Sequence, residues 1–208
     1  MPTPDFDLYL ITDRSQTRGR DLTWVLERAL DGGARAVQLR EKELGGKEFF
    51  LLAERVRKLT QSYAARLFLN DRIDIALAVD ADGVQIGQAS IPIATARALL
   101  GPRRMIGVST HALEEAQEAE RSGADLVLFG PVYFTPSKAA YGAPQGPAAL
   151  KKIVEKISLP VYAVGGVKPE NLAATRQLGV RGVALISAVM GAEDPKSATE
   201  KIVRLLQG

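Results

Sequence analysis

Eight short, almost continuously apolar segments recur along the chain, one for about every 26 residues. A strand exposed on one face alternates apolar and polar residues, whereas a parallel strand covered on both faces is apolar throughout. The pattern therefore predicts eight buried parallel strands. They are expected at residues 8–12, 36–40, 66–70, 83–87, 104–109, 125–130, 160–166 and 182–187.

Amphipathic helical patterns fill most of the intervals between these segments. Their apolar residues recur every three or four positions, which is typical of a helix that covers a core with one face. Several patterns end at a Gly, a common helix terminator, and Pro169 stands at a position that suits a helix start. Helices are expected within 22–33, 47–59, 113–123, 169–179 and 197–207.

Strands that alternate with helices eight times predict a (β/α)₈ TIM barrel, an α/β fold, as a single domain over residues 1–208. The alternative is a doubly wound open sheet. The first strand–helix turn lacks the GxGxxG pattern typical of that fold, and no linker-like segment interrupts the repeat. Because active sites of TIM barrels lie at the C-terminal ends of the strands, those ends are where function is expected.

Composition narrows the classes of function. The 27 basic and 24 acidic residues are interspersed, without the basic stripe of a nucleic-acid-binding protein, so we expect a small anionic substrate and no nucleic-acid partner. The absence of cysteine excludes disulfides, thiolate metal sites and a cysteine nucleophile. No apolar segment approaches 18 residues and no signal-peptide pattern is present, so we expect a cytoplasmic protein with no membrane partner.

The second predicted strand ends in alternating polar residues. Gln38, Arg40 and Lys42 would share one strand face and point an amide and two cations at the barrel mouth. Two cations suit a phosphate or diphosphate. The alternative is a solvated loop whose charges pair with Glu41 and Glu43.

The third strand ends at Asn70 and Asp71, which could supply oxygen ligands to Mg²⁺. The alternative is that Asp71 caps the helical pattern that follows.

The fifth strand ends at Ser109, Thr110 and His111. His111 is the only histidine in the chain and a candidate general acid or base. The alternative is that Thr110 or His111 caps the next helix.

The sixth strand leads into the longest loop, residues 130–147, which carries Thr135, Ser137 and Lys138. Hydroxyls beside a lysine in a long barrel loop indicate an anion-binding lid, and the glycines of the loop permit hinge motion. The alternative is a tolerated insertion without a function.

The last two strands end at Gly165 and Gly166, and at Ile186 and Ser187. Loops after strands seven and eight commonly bind phosphate through backbone N–H groups. Two anion sites in one mouth indicate two phosphorylated substrates, or one substrate with a phosphate at each end.

Taken in order, the segments QLREK, LND, GVSTH, FGPVYFTPSK, AVGGV and ALISAV resemble the strand ends of the thiamine phosphate synthase/TenI family over nearly the whole chain. The resemblance implies a synthase that joins 4-amino-5-hydroxymethyl-2-methylpyrimidine diphosphate to a thiazole phosphate, with Mg²⁺, and releases pyrophosphate. It also implies roles for particular residues. Those next to the pyrimidine diphosphate would be Gln38, Arg40, Lys42, Asn70 and Ser109. Those next to the thiazole phosphate would be Thr135, Ser137, Gly166, Ile186 and Ser187.

Within the same resemblance, Asp71 would be a Mg²⁺ ligand and Lys138 would contact the departing pyrophosphate. The predicted catalytic residues are Arg40, Lys138, Ser109 and His111. No covalent nucleophile is needed, which agrees with the absence of cysteine.

The chain departs from the family pattern within GVQIGQAS, residues 83–90. Gln85 replaces a histidine that is common in synthases, and Ser90 replaces the acid that would be the second Mg²⁺ ligand. One alternative is therefore a TenI-type tautomerase, which aromatises a thiazole carboxylate phosphate without metal and uses a histidine aligned with His111. Another is a non-catalytic regulator that binds thiazole phosphate. The sequence is compatible with a homo-oligomer but does not specify one.

Overall fold

The computed structural model describes residues 3–136, 138 and 142–207. Within these ranges eight parallel strands form a closed barrel in sequence order, and β1 pairs with β8 to complete it. The predicted (β/α)₈ TIM barrel is confirmed. The strands are β1 (Leu8–Ile11), β2 (Ala36–Leu39), β3 (Arg66–Asn70), β4 (Gly83–Ile86), β5 (Met105–Thr110), β6 (Leu126–Phe129), β7 (Val161–Val164) and β8 (Gly182–Leu185).

Helices follow the strands and cover the outside of the barrel. A short 3₁₀ helix, Arg14–Gln16, follows β1, and α7 begins at Pro169 as predicted. The α-helices of the described residues are α1 (Leu22–Asp31), α2 (Gly46–Ser62), α3 (Ile73–Ala78), α4 (Ile93–Leu100), α5 (Leu113–Arg121), α6 (Gly146–Lys156), α7 (Pro169–Arg176), α8 (Ser187–Met190) and α9 (Pro195–Gln207). None of them combines the length and the apolar character needed to span a bilayer.

An aromatic cluster fills the lower interior of the barrel. Tyr9, Phe68 and Tyr162 project inward from three strands, and Phe6 packs against all three with ring centroids 5.2–5.8 Å away. The buried Tyr162 hydroxyl donates to the Phe6 carbonyl oxygen at 2.7 Å. The N-terminal end is thus packed as a hydrophobic core, and a substrate can enter only from the opposite end.

The strand interior becomes polar towards the C-terminal end. Gln38 and Gln85 are each only 1% exposed and form part of the layer above the aromatic cluster. Gly107 makes room for this layer, because a Cβ at that position would overlap Gln85 Oε1. These two glutamines therefore form part of the floor of the barrel mouth.

Several strands are shorter than the apolar pattern predicted, and β2 shows why. It ends at Leu39, and the N–H of Arg40 donates to Thr12 Oγ1 at 2.9 Å. Glu41 then turns inward and accepts the Arg14 N–H at 2.9 Å. The prediction that Lys42 shares a strand face with Gln38 is therefore wrong, because Lys42 lies in a turn.

Candidate active site

Three cations meet at the C-terminal mouth. Arg40 and Lys42 follow β2, and Lys138 belongs to the loop after β6. Burial lowers the pKa of Lys138, and the nearby charges of Arg40 and Lys42 lower it further. Like charges held this close repel one another, so the arrangement favours a bound anion.

Neither Arg40 nor Lys42 forms a salt bridge with a carboxylate in the described ranges. The alternative that they pair with Glu41 and Glu43 is wrong. Glu43 instead bonds Arg14 Nε at 2.5 Å, and Glu41 accepts from the Arg14 backbone. Glu41 and Glu43 therefore do not neutralise these two cations, and Arg40 is close enough to Asp13 for their charges to interact.

Gln38 lies at the floor of the mouth beside the Tyr9 phenol, whose pKa is raised by burial. The Gln38 side chain interacts with the Tyr9 hydroxyl, which partly offsets that rise. This contact holds the Gln38 amide at the floor of the mouth.

Asp71 lies at the end of β3 in a left-handed backbone conformation, with φ +61°. Asn70 Nδ2 donates to its Oδ2 at 2.8 Å, and the Ser90 hydroxyl donates to its Oδ1. The N-cap of α3 is Arg72, without a side-chain cap. The alternative that Asp71 caps this helix is therefore wrong, and its carboxylate faces the mouth between two neutral donors.

The residues around Asp71 suit a divalent cation only in part. No group of three carboxylate or imidazole side chains that could hold a metal occurs among the described residues. Mg²⁺ commonly binds one or two carboxylates and completes its shell with water and substrate phosphates. One carboxylate flanked by an amide and a hydroxyl fits a Mg²⁺ ion that is also held by a diphosphate.

Ser109 at the end of β5 is held by two glutamines that were not among the predicted site residues. Gln85 Nε2 donates to Ser109 Oγ at 3.0 Å, and Gln88 Nε2 donates to the Ser109 carbonyl oxygen at 2.9 Å. Their spacing within GVQIGQ, with Gln85 inside β4 and Gln88 just beyond it, is the sequence feature that could have indicated them.

The His111 ring does not cap a helix. Its Nδ1 lies within hydrogen-bonding distance of the Gly130 carbonyl oxygen, which can only accept, so Nδ1 carries the proton. In the neutral ring Nε2 is then an acceptor. The N-cap of α5 is Ala112, without a side-chain cap, and Thr110 is fully buried, so the capping alternative for both residues is wrong.

The loops after β6, β7 and β8 lie together on the other side of the mouth. Gly165 and Gly166 have φ of +86° and +67°, and the Gly165 carbonyl accepts the Tyr133 N–H at 2.9 Å. A Cβ at Gly166 would lie 2.6 Å from the carbonyl oxygen of Phe134. Glycine at this position is therefore required for the loop after β6 to pack against the end of β7.

The remaining predicted phosphate ligands belong to the segments that follow β6 and β8. Ile186 precedes α8, and Ser187 begins it in an exposed position. The Thr135 carbonyl accepts the Lys138 N–H at 3.0 Å, so both residues belong to one turn. Ser137 lies outside the described residues. The exposed N-terminal turn of α8 and the glycine loop offer backbone N–H groups to a phosphate.

Fold and site together define a class of protein: TIM-barrel enzymes that bind phosphorylated substrates at the C-terminal mouth. A family model described as thiamine monophosphate synthase matches residues 8–189 of the chain. The chain belongs to this family.

Curated relatives and a solved structure agree with this family membership. A protein of Geobacter sulfurreducens is 50% identical over 206 residues, which cover 99% of this chain and 97% of the relative. The thiamine-phosphate synthase of Clostridium novyi is 44% identical and covers 97% and 98% of the two chains. The solved thiamine phosphate pyrophosphorylase of Pyrococcus furiosus is 42% identical, covers 97% and 96%, and superposes with a TM-score of 0.89.

Proposed function

We propose that the protein is a thiamine-phosphate synthase. It joins 4-amino-5-hydroxymethyl-2-methylpyrimidine diphosphate to a thiazole phosphate and releases pyrophosphate. The observation that carries the proposal is the convergence of Arg40, Lys42 and Lys138 at the mouth, with no carboxylate partner for the first two in the described ranges. Full-length relatives named for this activity support it.

The cations act on the diphosphate end of the first substrate. Breaking the bond between the pyrimidine methylene carbon and the diphosphate oxygen transfers the electron pair to the departing pyrophosphate. Arg40, Lys42 and Lys138 stabilise the negative charge that develops on those oxygens. Preorganised donors of this kind are usually the largest contribution to catalysis.

Asp71, assisted by Asn70, is the residue that would hold Mg²⁺ at this end. A bound Mg²⁺ supplies Lewis-acid neutralisation of the diphosphate oxygens. In this proposal Gln38 and Ser109 orient the pyrimidine, and Gln85 fixes the direction of the Ser109 hydroxyl.

The second substrate binds on the opposite side of the mouth. The proposed ligands of the thiazole phosphate are Thr135, Ser137, Gly165, Gly166, Ile186 and Ser187. With that phosphate anchored, the thiazole nitrogen lies close to the electron-poor methylene carbon and attacks it. Holding two reactants in this geometry contributes much of the rate enhancement without a covalent intermediate on the protein.

A second candidate function rests on His111. With Nδ1–H directed at Gly130, the free Nε2 can take up a proton, as a metal-independent thiazole tautomerase requires. A non-catalytic protein that binds thiazole phosphate is the third.

One set of assays separates the three. Purified protein receives both synthase substrates with and without Mg²⁺ and, separately, the non-aromatic thiazole carboxylate phosphate. We expect Mg²⁺-dependent formation of thiamine phosphate. Metal-independent aromatisation that is lost in His111→Ala would favour the tautomerase, and binding without turnover in either assay would favour the regulator.

The cytoplasmic location and a homo-oligomeric state stay predictions from the sequence. Light scattering of the purified protein measures the second.

A further inference from the structure

The hydrogen bonds around Ser90 leave its hydroxyl proton a single direction in which to donate. Its Oγ accepts the Gly87 N–H at 2.8 Å, and its backbone N–H donates to the Gly87 carbonyl at 3.1 Å. A serine hydroxyl has a single proton to donate. That proton is directed to Asp71 Oδ1.

The two Asp71 oxygens therefore have different partners that together fix the carboxylate plane. Ser90 holds Oδ1, and Asn70 Nδ2 holds Oδ2 at 2.8 Å. Both partners are neutral, so they orient the carboxylate without adding negative charge. The nearby Asp74 does not add to it either, because its carboxylate is paired with Arg72 at 2.6 Å.

The electrostatic environment of this corner opposes a free cation. Arg40, Lys42 and Lys138 lie at the ends of β2 and β6 in the same mouth, where the nearby carboxylates include Asp71 and Asp13, the latter close enough to Arg40 for their charges to interact. Before a polyanion binds, a divalent cation would have to enter a mouth of net positive charge. Once a diphosphate is bound, the balance reverses, and Asp71 adds a preoriented ligand to those supplied by phosphate oxygens and water.

We propose that Ser90 is a positioning residue for Asp71, and that this site binds a divalent cation only together with a diphosphate. The metal enters and leaves as its complex with that anion, so the protein has no resident metal between turnovers. Only the identity of the diphosphate in this inference rests on the proposed function. The requirement of the metal for a diphosphate does not.

Metal retention tests the proposal without measuring activity. The full-length protein is equilibrated with Mn²⁺, with or without inorganic pyrophosphate, and protein-retained Mn²⁺ is measured by ultrafiltration and electron paramagnetic resonance. We expect the wild-type protein to retain Mn²⁺ only with pyrophosphate and in equal amounts with it. Ser90→Asp, which places a second carboxylate next to Asp71, is expected to retain Mn²⁺ alone.

Two variants separate orientation from charge. Ser90→Ala removes the donor to Asp71 and is expected to weaken Mn²⁺ retention with pyrophosphate by about 10- to 100-fold, the usual effect of losing an outer partner of a metal ligand. Ser90→Thr keeps a hydroxyl and is expected to retain most of the affinity. Ser62→Asp, at the exposed end of α2, is the control for an added carboxylate and should behave as wild type.

Three outcomes overturn the proposal. The wild-type protein binds Mn²⁺ alone as tightly as Ser90→Asp does, or it retains no Mn²⁺ even with pyrophosphate. The third is a folded Ser90→Ala protein that retains as much Mn²⁺ with pyrophosphate as the wild-type protein. Circular dichroism confirms the folding of each variant. The proposed function is judged separately by thiamine phosphate formation. An active protein that binds Mn²⁺ alone would refute this inference only, and a protein without that activity would refute the proposed function.

Discussion

Lys138 shows how neighbouring charges change the chemistry of a single residue. Its ordinary pKa of 10.5 is lowered by burial and by Arg40 and Lys42. In the proposed function the protonated form binds the diphosphate, so kcat/KM should fall as pH rises through the lowered pKa, at a lower pH than for an ordinary lysine. Lys138→Arg carries a charge that cannot be titrated in this range.

We therefore expect the alkaline decrease of log(kcat/KM) to move to higher pH or to disappear in Lys138→Arg. The pH–rate profiles of the two proteins check this. An identical alkaline limb in both would assign that limb to another group.

Arg40 is the half-buried member of the three cations, and no carboxylate of the described residues pairs with it. Arg40→Ala should lower kcat/KM for the pyrimidine diphosphate by about 100-fold or more, because one preorganised donor to the developing negative charge is lost. Steady-state kinetics measure the effect. Lys201→Ala, which removes an exposed cation on α9, serves as the charge control, and an equal loss in that variant would point to a general electrostatic effect.

At the scale of elements, packing of the β6–α6 loop onto the end of β7 depends on Gly166. A side chain there would be strained at φ +67° and would overlap the carbonyl oxygens of Tyr133 and Phe134. Gly166→Ala should lower the melting temperature and raise the KM for thiazole phosphate, since strain of this kind costs about 1–3 kcal/mol.

Calorimetry and kinetics of Gly166→Ala check the two effects together. Gly45→Ala is the matched control, because that position has open space and φ −66°. An active Gly166→Ala with unchanged KM would show that the loop does not need this conformation for catalysis.

The positions of the strands and the polar residues at their ends could be predicted from the sequence, because buried parallel strands leave a continuous apolar pattern. Lys42 could not be placed, since β2 is ended by contacts with Thr12 and Arg14 that no local pattern reveals. The same holds for the bonds from Gln85 to Ser109 and from Ser90 to Asp71. They join residues 24 and 19 positions apart, at the ends of neighbouring strands that the pairing of β3, β4 and β5 brings together.

At the scale of the whole molecule, the barrel is closed by residues from the two ends of the chain. Leu10 pairs with Leu185, and the aromatic cluster around Tyr9 joins β1, β3 and β7. Neither half of the chain can complete this interior alone. The prediction of a single domain therefore implies that the chain unfolds as one unit.

Thermal unfolding followed by far-ultraviolet and near-ultraviolet circular dichroism tests that prediction. We expect coincident transitions from the two signals, as for a single cooperative unit. Two well-separated transitions would contradict the single domain.

In the proposed reaction, the mouth of this barrel joins two phosphorylated substrates and expels pyrophosphate. A quantitative product assay on the wild-type protein with both substrates and Mg²⁺ measures this reaction directly. We expect equal amounts of thiamine phosphate and pyrophosphate, because each condensation releases one of each. Neither product should form when one substrate is omitted, and Arg40→Ala should form much less of both. Folded protein that forms no thiamine phosphate under these conditions would contradict the proposed reaction.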